Sequence, residues 1–455
     1  MPAAGRTTNR LFSAAAIAWT VASLFYFYQY VLRAAPSVMM PQLGETFGLT
    51  AAGLAALLGL FYYGYAPFSL VAGVAIDQFG PRKVVPIAAT LVGIGALLFA
   101  SGNPPLARIG QILQGSGAVF SMVSAVYIAT KYFPASRSAT LVGATQMFGM
   151  AGGSSGQFLV GAAITGGLLW SQFWIAAGVV GILLAGMLLV FLPSSPSLAQ
   201  PPRERAKQAM VAILSVFSNP QSLMCGVIAG LLFLPTNVFG MVWGVRFLEE
   251  GHDVQYSLAV MRSAAVPFGW IIGCPLLGLL SDRIGRRKPV IIGAAAALLG
   301  CLILILYGPP GLFPPFSLAL IAGIASGAAM LPYTVIKEAN RPEHSGTATG
   351  TINFINFSLT ALLGPVFGSM LMRASGDGPR ALVHYQTAFE PLCYGVVAAI
   401  VITLLLKETG PRARQSAPDP SEPFSELRKK GADRAHMINK EHQNDLSGGT
   451  IARGS

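Results

Sequence analysis

The chain has 455 residues, 53% of them hydrophobic and only 11% charged, with a formal net charge of +12 and a mean hydropathy of +0.60. A soluble domain carries about 25% charge, and a soluble core of this size would split into domains with polar surfaces, so the composition fits long apolar runs in contact with lipid. The basic residues sit in short loops between those runs, where they set topology, so the positive charge does not point to nucleic acid.

A membrane-crossing helix needs about 20 apolar residues. Twelve runs qualify, at 12–40, 51–73, 84–101, 106–130, 139–164, 168–192, 221–247, 255–280, 289–307, 314–335, 347–372 and 386–406. The first follows basic residues as a signal peptide does, but it continues too long to be cleaved, and we read it as an uncleaved helix. It carries Tyr26, Gln29, Tyr30 and Arg33 at i, i+3, i+4 and i+7, one face of a helix. Counting back from Gln42 places Arg33 roughly 13 Å below the outer surface. A charge at that depth costs about 2.5–3.5 kcal/mol and normally faces a wet cavity or a partner. The alternative is an arginine snorkelling to the interface beside an aromatic belt. In the fourth run Gln114, Ser121 and Ser124 share a face with glycines, which reads as helix packing.

Between the sixth and seventh runs lies a Pro- and Ser-rich stretch with Arg203, Glu204, Arg205 and Lys207. It reads as a cytoplasmic linker, 193–220, between an N-terminal half, 1–192, and a C-terminal half, 221–406. Arg262 lies about 12 Å inside the eighth helix, facing a cavity or pairing with an acid such as Glu390. Thr349, Asn353, Asn356 and Thr360 share one face of the eleventh helix, to meet a solute or to join helices at about 0.6 kcal/mol each. Glu390, near the start of the twelfth helix, is the candidate for ion coupling, since helices 1, 4, 5, 7, 8, 10 and 11 hold no deep carboxylate. Glu338 lies near the inner end of the tenth. After Lys407 the chain turns polar and charged, and 407–455 reads as a disordered cytoplasmic tail.

With the N terminus inside, fifteen Lys and Arg residues fall in inner loops, six in outer loops and spans, and nine in the tail. The bias has the sign that places both termini in the cytoplasm of a bacterial inner membrane. A shift of 205 residues superposes Gly73 on Gly278, Asp77 on Asp282, Gly80 on Gly285, Arg82 on Arg287 and Lys83 on Lys288; near 207, Gly143 meets Gly350 and Gly161 meets Gly368. The repeat is parallel, which predicts two pseudo-symmetric six-helix halves about an axis along the membrane normal.

Those loops resemble the signature of the major facilitator superfamily: Gly, three residues, Asp-Arg, one residue, Gly-Arg, then Arg or Lys. The second copy is complete, with Gly278, Asp282, Arg283, Gly285, Arg286 and Arg287. The first is partial, with Gly73, Asp77, Gly80 and Arg82, and with Gln78 and Pro81 at two basic positions. Arg108 followed by Gly115 and Gly117 is similar to a second superfamily signature. The stretches 243–248 and 337–342, followed by Gly346-Thr347-Ala348, resemble a proteobacterial group of phagosomal nutrient transporters and the lysosomal dipeptide transporters. Arg33, three residues before Pro36, resembles the first-helix arginine of organic-anion and organophosphate transporters. The resemblance implies an all-helical transporter working by alternating access, with the signature residues as gates. Asp77 can accept helix N-terminal N–H groups and pair with Arg, holding the inside closed; the alternative for Arg286, Arg287 and Lys288 is a topology-setting cluster.

Two inward arginines against almost no inward acid predict a small carboxylate-bearing solute: an amino acid, a small peptide or an organic acid. Proton symport, uniport and exchange all stay open. The expected working unit is a monomer in a lipid bilayer, with no cofactor and no metal. Cys225, Cys274, Cys301 and Cys393 fall in apolar runs and read as buried thiols. The five histidines are scattered, which argues against a membrane-embedded enzyme, and no phosphate-binding loop supports ATP-driven transport. A non-transporting membrane sensor with the same fold is the rival.

Overall fold

The computed structural model describes residues 3–194, 202–309, 315–376, 378–410 and 412. The expected tail beyond 412 and the linker segment 195–201 lie outside the described residues. Every ordered element among the described residues is a helix. That follows from the solvent: in lipid each backbone N–H and C=O must be satisfied within its own segment.

The long helices are α1 (Ala3–Ala34), α2 (Ala51–Phe79), α3 (Pro81–Ala100), α4 (Pro104–Tyr132), α5 (Ala135–Thr165) and α6 (Trp170–Phe191). The second set is α7 (Pro220–Gly251), α8 (Tyr256–Ile284), α9 (Lys288–Tyr307), α10 (Phe316–Glu338), α11 (Pro342–Ser375) and α12 (Leu382–Leu405). Starts are set by local chemistry: Thr50 Oγ1 accepts from Gly53 N at 3.2 Å, Asn103 Oδ1 from Leu106 N at 3.3 Å and Asn219 Oδ1 from Gln221 N at 3.0 Å. α2 runs past its expected end at 73 and stops at Gly80, whose φ of 80° suits glycine. The linker contains a helix, Pro202–Phe217.

Eleven of the twelve are long and apolar enough to cross a membrane. The exception, α5, has the length, but its Gly, Ser, Gln and Thr residues dilute its hydropathy. It packs against α1 and α8, where protein rather than lipid sets composition. Elsewhere Leu183, Val190, Leu279, Leu404 and Leu405 project outward as an apolar surface for lipid.

Helices α1–α6 pack on one another, as do α7–α12, and the pairs α2/α11 and α5/α8 join the halves. The repeat extends to packing. A Cβ on Gly115 would stand 1.9 Å from the Phe61 carbonyl oxygen, and one on Gly323 would stand 2.0 Å from that of Val266. The two crossings, α2/α4 and α8/α10, are related by shifts of 205 residues (Phe61 to Val266) and 208 residues (Gly115 to Gly323), close to those of the sequence repeat. Only glycine permits either approach.

Two spans are irregular in their interior. α7 is α-helical over Pro220–Leu234 and then π-helical over Pro235–Trp243 and Phe247–Gly251. Pro235 supplies no N–H and its ring crowds the preceding turn, which favours the wider helix. α10 tightens to a 3₁₀ turn at Gly327–Met330, where Gly327 backs onto Gly273.

Candidate functional site

The central site begins with α1. Its face delivers Tyr26, Tyr30 and Arg33 to the seam between the halves, each at most 8% exposed. Tyr26 donates to Gln146 Oε1 of α5 at 2.9 Å, and the rings of Tyr26 and Tyr30 meet edge to face at 5.1 Å. Arg33 Nε donates to the Tyr62 hydroxyl of α2 at 3.1 Å. Arg33 Nη2 donates to Asn237 Oδ1 of α7, and Asn237 Nδ2 reaches Thr360 Oγ1 of α11 at 3.5 Å. Arg33 and Asn237 lie 204 residues apart, so the repeat makes them near-mates across the pseudo-twofold axis.

Five rings surround the guanidinium. Its carbon is 4.8 Å from the centroid of Tyr30, 5.0 Å from Tyr62 and Phe357, 5.5 Å from Phe233 and 5.8 Å from Phe61. Ring faces attract a cation within about 6 Å, and here they stand in for part of the water the charge has lost. The remaining nitrogen, Nη1, is buried with no hydrogen-bond partner. A guanidinium presents five N–H donors in a planar fork matched to a carboxylate or sulfonate.

Two cavities flank this group. One, toward the end opposite the loop signatures, is framed by Arg33, Tyr62, Gln111, Gln114, Asn237 and Trp243 and holds about 50 Å³, room for a few waters. The other, toward the signatures, is framed by Tyr26, Tyr30, Tyr65, Tyr333, Asn353 and Asn356. Tyr333 donates to Asn353 Oδ1 at 2.6 Å and accepts from Asn356 Nδ2 at 3.3 Å. No carboxylate lines either cavity among the described residues.

The structure thus brings together five of the seven residues singled out for the solute. Gln29 is buried on the same helix with both side-chain polar atoms unpartnered, but it does not line either cavity. Arg262 stands apart, with Nε buried and unpartnered. Glu390 is away from both cavities and accepts from Tyr394, an exposed residue on the bundle's outer surface. Sequence reasoning missed Tyr62, Tyr333, Asn237 and the aromatic cage. A signal for Asn237 existed, since it forms a polar pair with Thr236 directly after a proline in an apolar run.

The end opposite the signatures is stitched across the halves. Gln157 Nε2 of α5 donates to Gly240 O at 2.7 Å, with Ser37 Oγ at 3.1 Å and Ser263 Oγ at 3.2 Å. The Tyr256 hydroxyl donates to Val38 O at 2.6 Å, and Ser154 Oγ to Ala264 O at 3.1 Å. At the signature end a crevice of about 590 Å³ lies between α2, the linker helix and the start of α11, lined by Asp77, Gln78, Lys207, Glu343 and His344.

The two signature copies differ. Around the second, Arg287 Nη1 pairs with Asp282 at 2.5 Å and Nη2 with Glu338 at 3.0 Å. Glu408, beyond α12, accepts from the backbone N–H groups of Arg287 at 2.7 Å and Lys288 at 3.1 Å, capping α9. Thr409 Oγ1 closes the ring by donating to Glu338 Oε2 at 2.7 Å. Burial would raise the Glu408 carboxyl, but N–H groups from Arg287, Gly410, Lys288 and Thr409 outweigh it and hold it below its ordinary value. Gly285 ends α8 at φ 71°, and its carbonyl accepts from Arg412 N at 3.1 Å. Arg283 and Arg286 have exposed side chains, and Arg286 joins the cluster only through its carbonyl, which accepts from Ser281 Oγ at 3.3 Å. In the first copy Asp77 is exposed to the crevice, and Arg82 Nε donates to the Leu189 carbonyl at 2.8 Å. Gly73 and Gly278 both have open space where a Cβ would stand.

The family model described as Major Facilitator Superfamily matches residues 22–365. A probable sulfoacetate transporter of Cupriavidus necator is 24% identical over 412 residues, covering 86% of this chain and 94% of that one. A hexuronate transporter of Bacillus subtilis is 23% identical over 373 residues, covering 76% and 85%. Among solved structures, a bacterial homolog of the human lysosomal transporter Spinster, inward-facing and unoccupied, superposes with a TM-score of 0.62 at 18% identity, covering 86% of this chain and 95% of that one.

Proposed function

The chain belongs to the major facilitator superfamily, and on that premise we propose that it moves a small carboxylate-bearing solute across the bacterial inner membrane by alternating access. The observation that carries this is Arg33: a caged guanidinium with a free N–H donor beside a cavity that no carboxylate among the described residues lines. An anion supplies what the site lacks, and in a medium of low effective dielectric that attraction exceeds its value at a surface. The names of two relatives support the class, since sulfoacetate and hexuronates are carboxylates; amino acids and small peptides carry the same group. Tyr26, Tyr30, Asn353 and Asn356 would receive the rest of the solute. With no acid beside the cavity, uniport or exchange fits better than proton symport through Glu390.

The halves 1–192 and 221–406 rock about the central site, joined by the linker 193–220. Both termini and the tail 407–455 face the cytoplasm, as the Lys and Arg bias requires. The stitched end is then periplasmic, the conformation is closed outside, and the residues around Asp77 and Asp282 gate the inside. A single copy suffices.

Counterflow into proteoliposomes tests the sign of the solute. Sulfoacetate, glucuronate, alanine, uridine and choline are compared, and uptake of at least one carboxylate with none of choline is expected. Uptake of uridine or choline with no carboxylate taken up would overturn the reading.

A further inference from the structure

Of the side-chain hydrogen bonds that cross between the halves away from the signatures, those of Gln157, Tyr256 and Ser154 join neutral groups. The bond from Arg33 to Asn237 is charged, and both residues line the cavity. A solute can therefore reach and replace it. Asn237 offers an amide oxygen where an anion would offer a better one, since hydrogen bonds between two ionised partners are the stronger kind. Gln114 of α4 also lines the cavity, and its Nε2 is a buried donor with no partner.

Resting on the anion reading above, we propose that Asn237 takes the place of one substrate oxygen on Arg33 in the empty carrier, so that the stitched end opens only with an anion aboard and the protein works as an exchanger. The anion binds Arg33 Nη1 and Gln114 Nε2 and takes Nη2 from Asn237. That removes the charged bond between α1 and α7 and leaves the neutral ones. An empty carrier keeps the bond, so it returns across the membrane slowly.

The test uses vesicles loaded with labelled sulfoacetate, with efflux followed with and without sulfoacetate outside. Outside anion should speed parent efflux roughly tenfold or more, the value of a charged hydrogen bond. In Asn237→Ala efflux without outside anion should rise toward the exchange rate, and in Asn237→Asp both rates should fall because a fixed carboxylate occupies Arg33. Gln114→Leu should weaken sulfoacetate binding roughly tenfold. A second readout needs no solute: spin labels at the exposed positions Glu45 and Gln255, with the four native cysteines replaced. Asn237→Ala should show a longer distance population that the empty parent lacks, and Gln114→Leu should not. An unchanged distance in Asn237→Ala overturns the latch even if anions are carried. A lengthened distance without transport of any anion keeps the latch and overturns the anion reading.

Discussion

The two loop signatures share their spacing and differ in what they build. Around the second, Arg287 is buried between two acids, and Glu408 caps the next helix. Around the first, Arg82 is exposed and bonds to a main-chain carbonyl, while Asp77 faces an open crevice. The decisive residues lie outside the signature. α10 ends on Glu338, whereas α4 ends near Lys131, a residue of opposite sign. A repeated motif thus fixes a backbone path, and the partners brought by other helices decide whether it is pinned.

Removing Arg287 should break this comparison hardest. Arg287→Met leaves Glu338 in a largely buried place without its cation, and such losses cost about 3 kcal/mol or more. Arg82→Met should cost under about 1 kcal/mol, as exposed groups do. Thermal unfolding of the two variants in detergent checks the difference, and equal losses would remove the asymmetry.

The aspartates should sharpen it. Asp77→Asn should slow transport at unchanged unfolding temperature, by weakening the inside-closed state. Asp282 is 64% exposed, so Asp282→Asn should cost at most about 1 kcal/mol. Transport by Asp77→Asn equal to the parent at equal expression would end the gating role.

Glu408 gives the smallest effect. Its folded pKa is depressed, so its contribution is present above the unfolded value near 4.5 and fades as pH falls through the folded value. The parent should lose unfolding temperature below that range more steeply than Glu408→Gln. Parallel curves would show that the cap adds nothing.

Much of this was legible in the sequence because lipid imposes simple rules. The twelve runs, the 205-residue repeat and the polar face of α1 follow from run length, spacing and the 3.6-residue period. Arg33 was legible because its burial cost demands a reason. Arg262 and Glu390 were not, since counting residues gives depth but not direction around the helix axis. Asn237 escaped because the π-helical stretch after Pro235 changes the period on which face assignments rest. Gln114 reads as packing, and its side chain does pack against Gly95 of α3; spacing could not reveal that its amide Nε2 is left without a partner. Glu408 lay in a stretch whose composition reads as a tail, yet it caps a helix start 120 residues away in sequence.

The central claim is that Arg33 reads an anion, and the measurement that tests it most directly is equilibrium binding of sulfoacetate, or whichever carboxylate counterflow identifies, to purified Arg33→Lys. Lysine keeps the charge and loses the fork. If the fork holds the anion, Arg33→Lys should bind roughly ten- to a hundred-fold more weakly, and Arg33→Gln at least as weakly. Binding by Arg33→Lys as tight as the parent's would contradict the account.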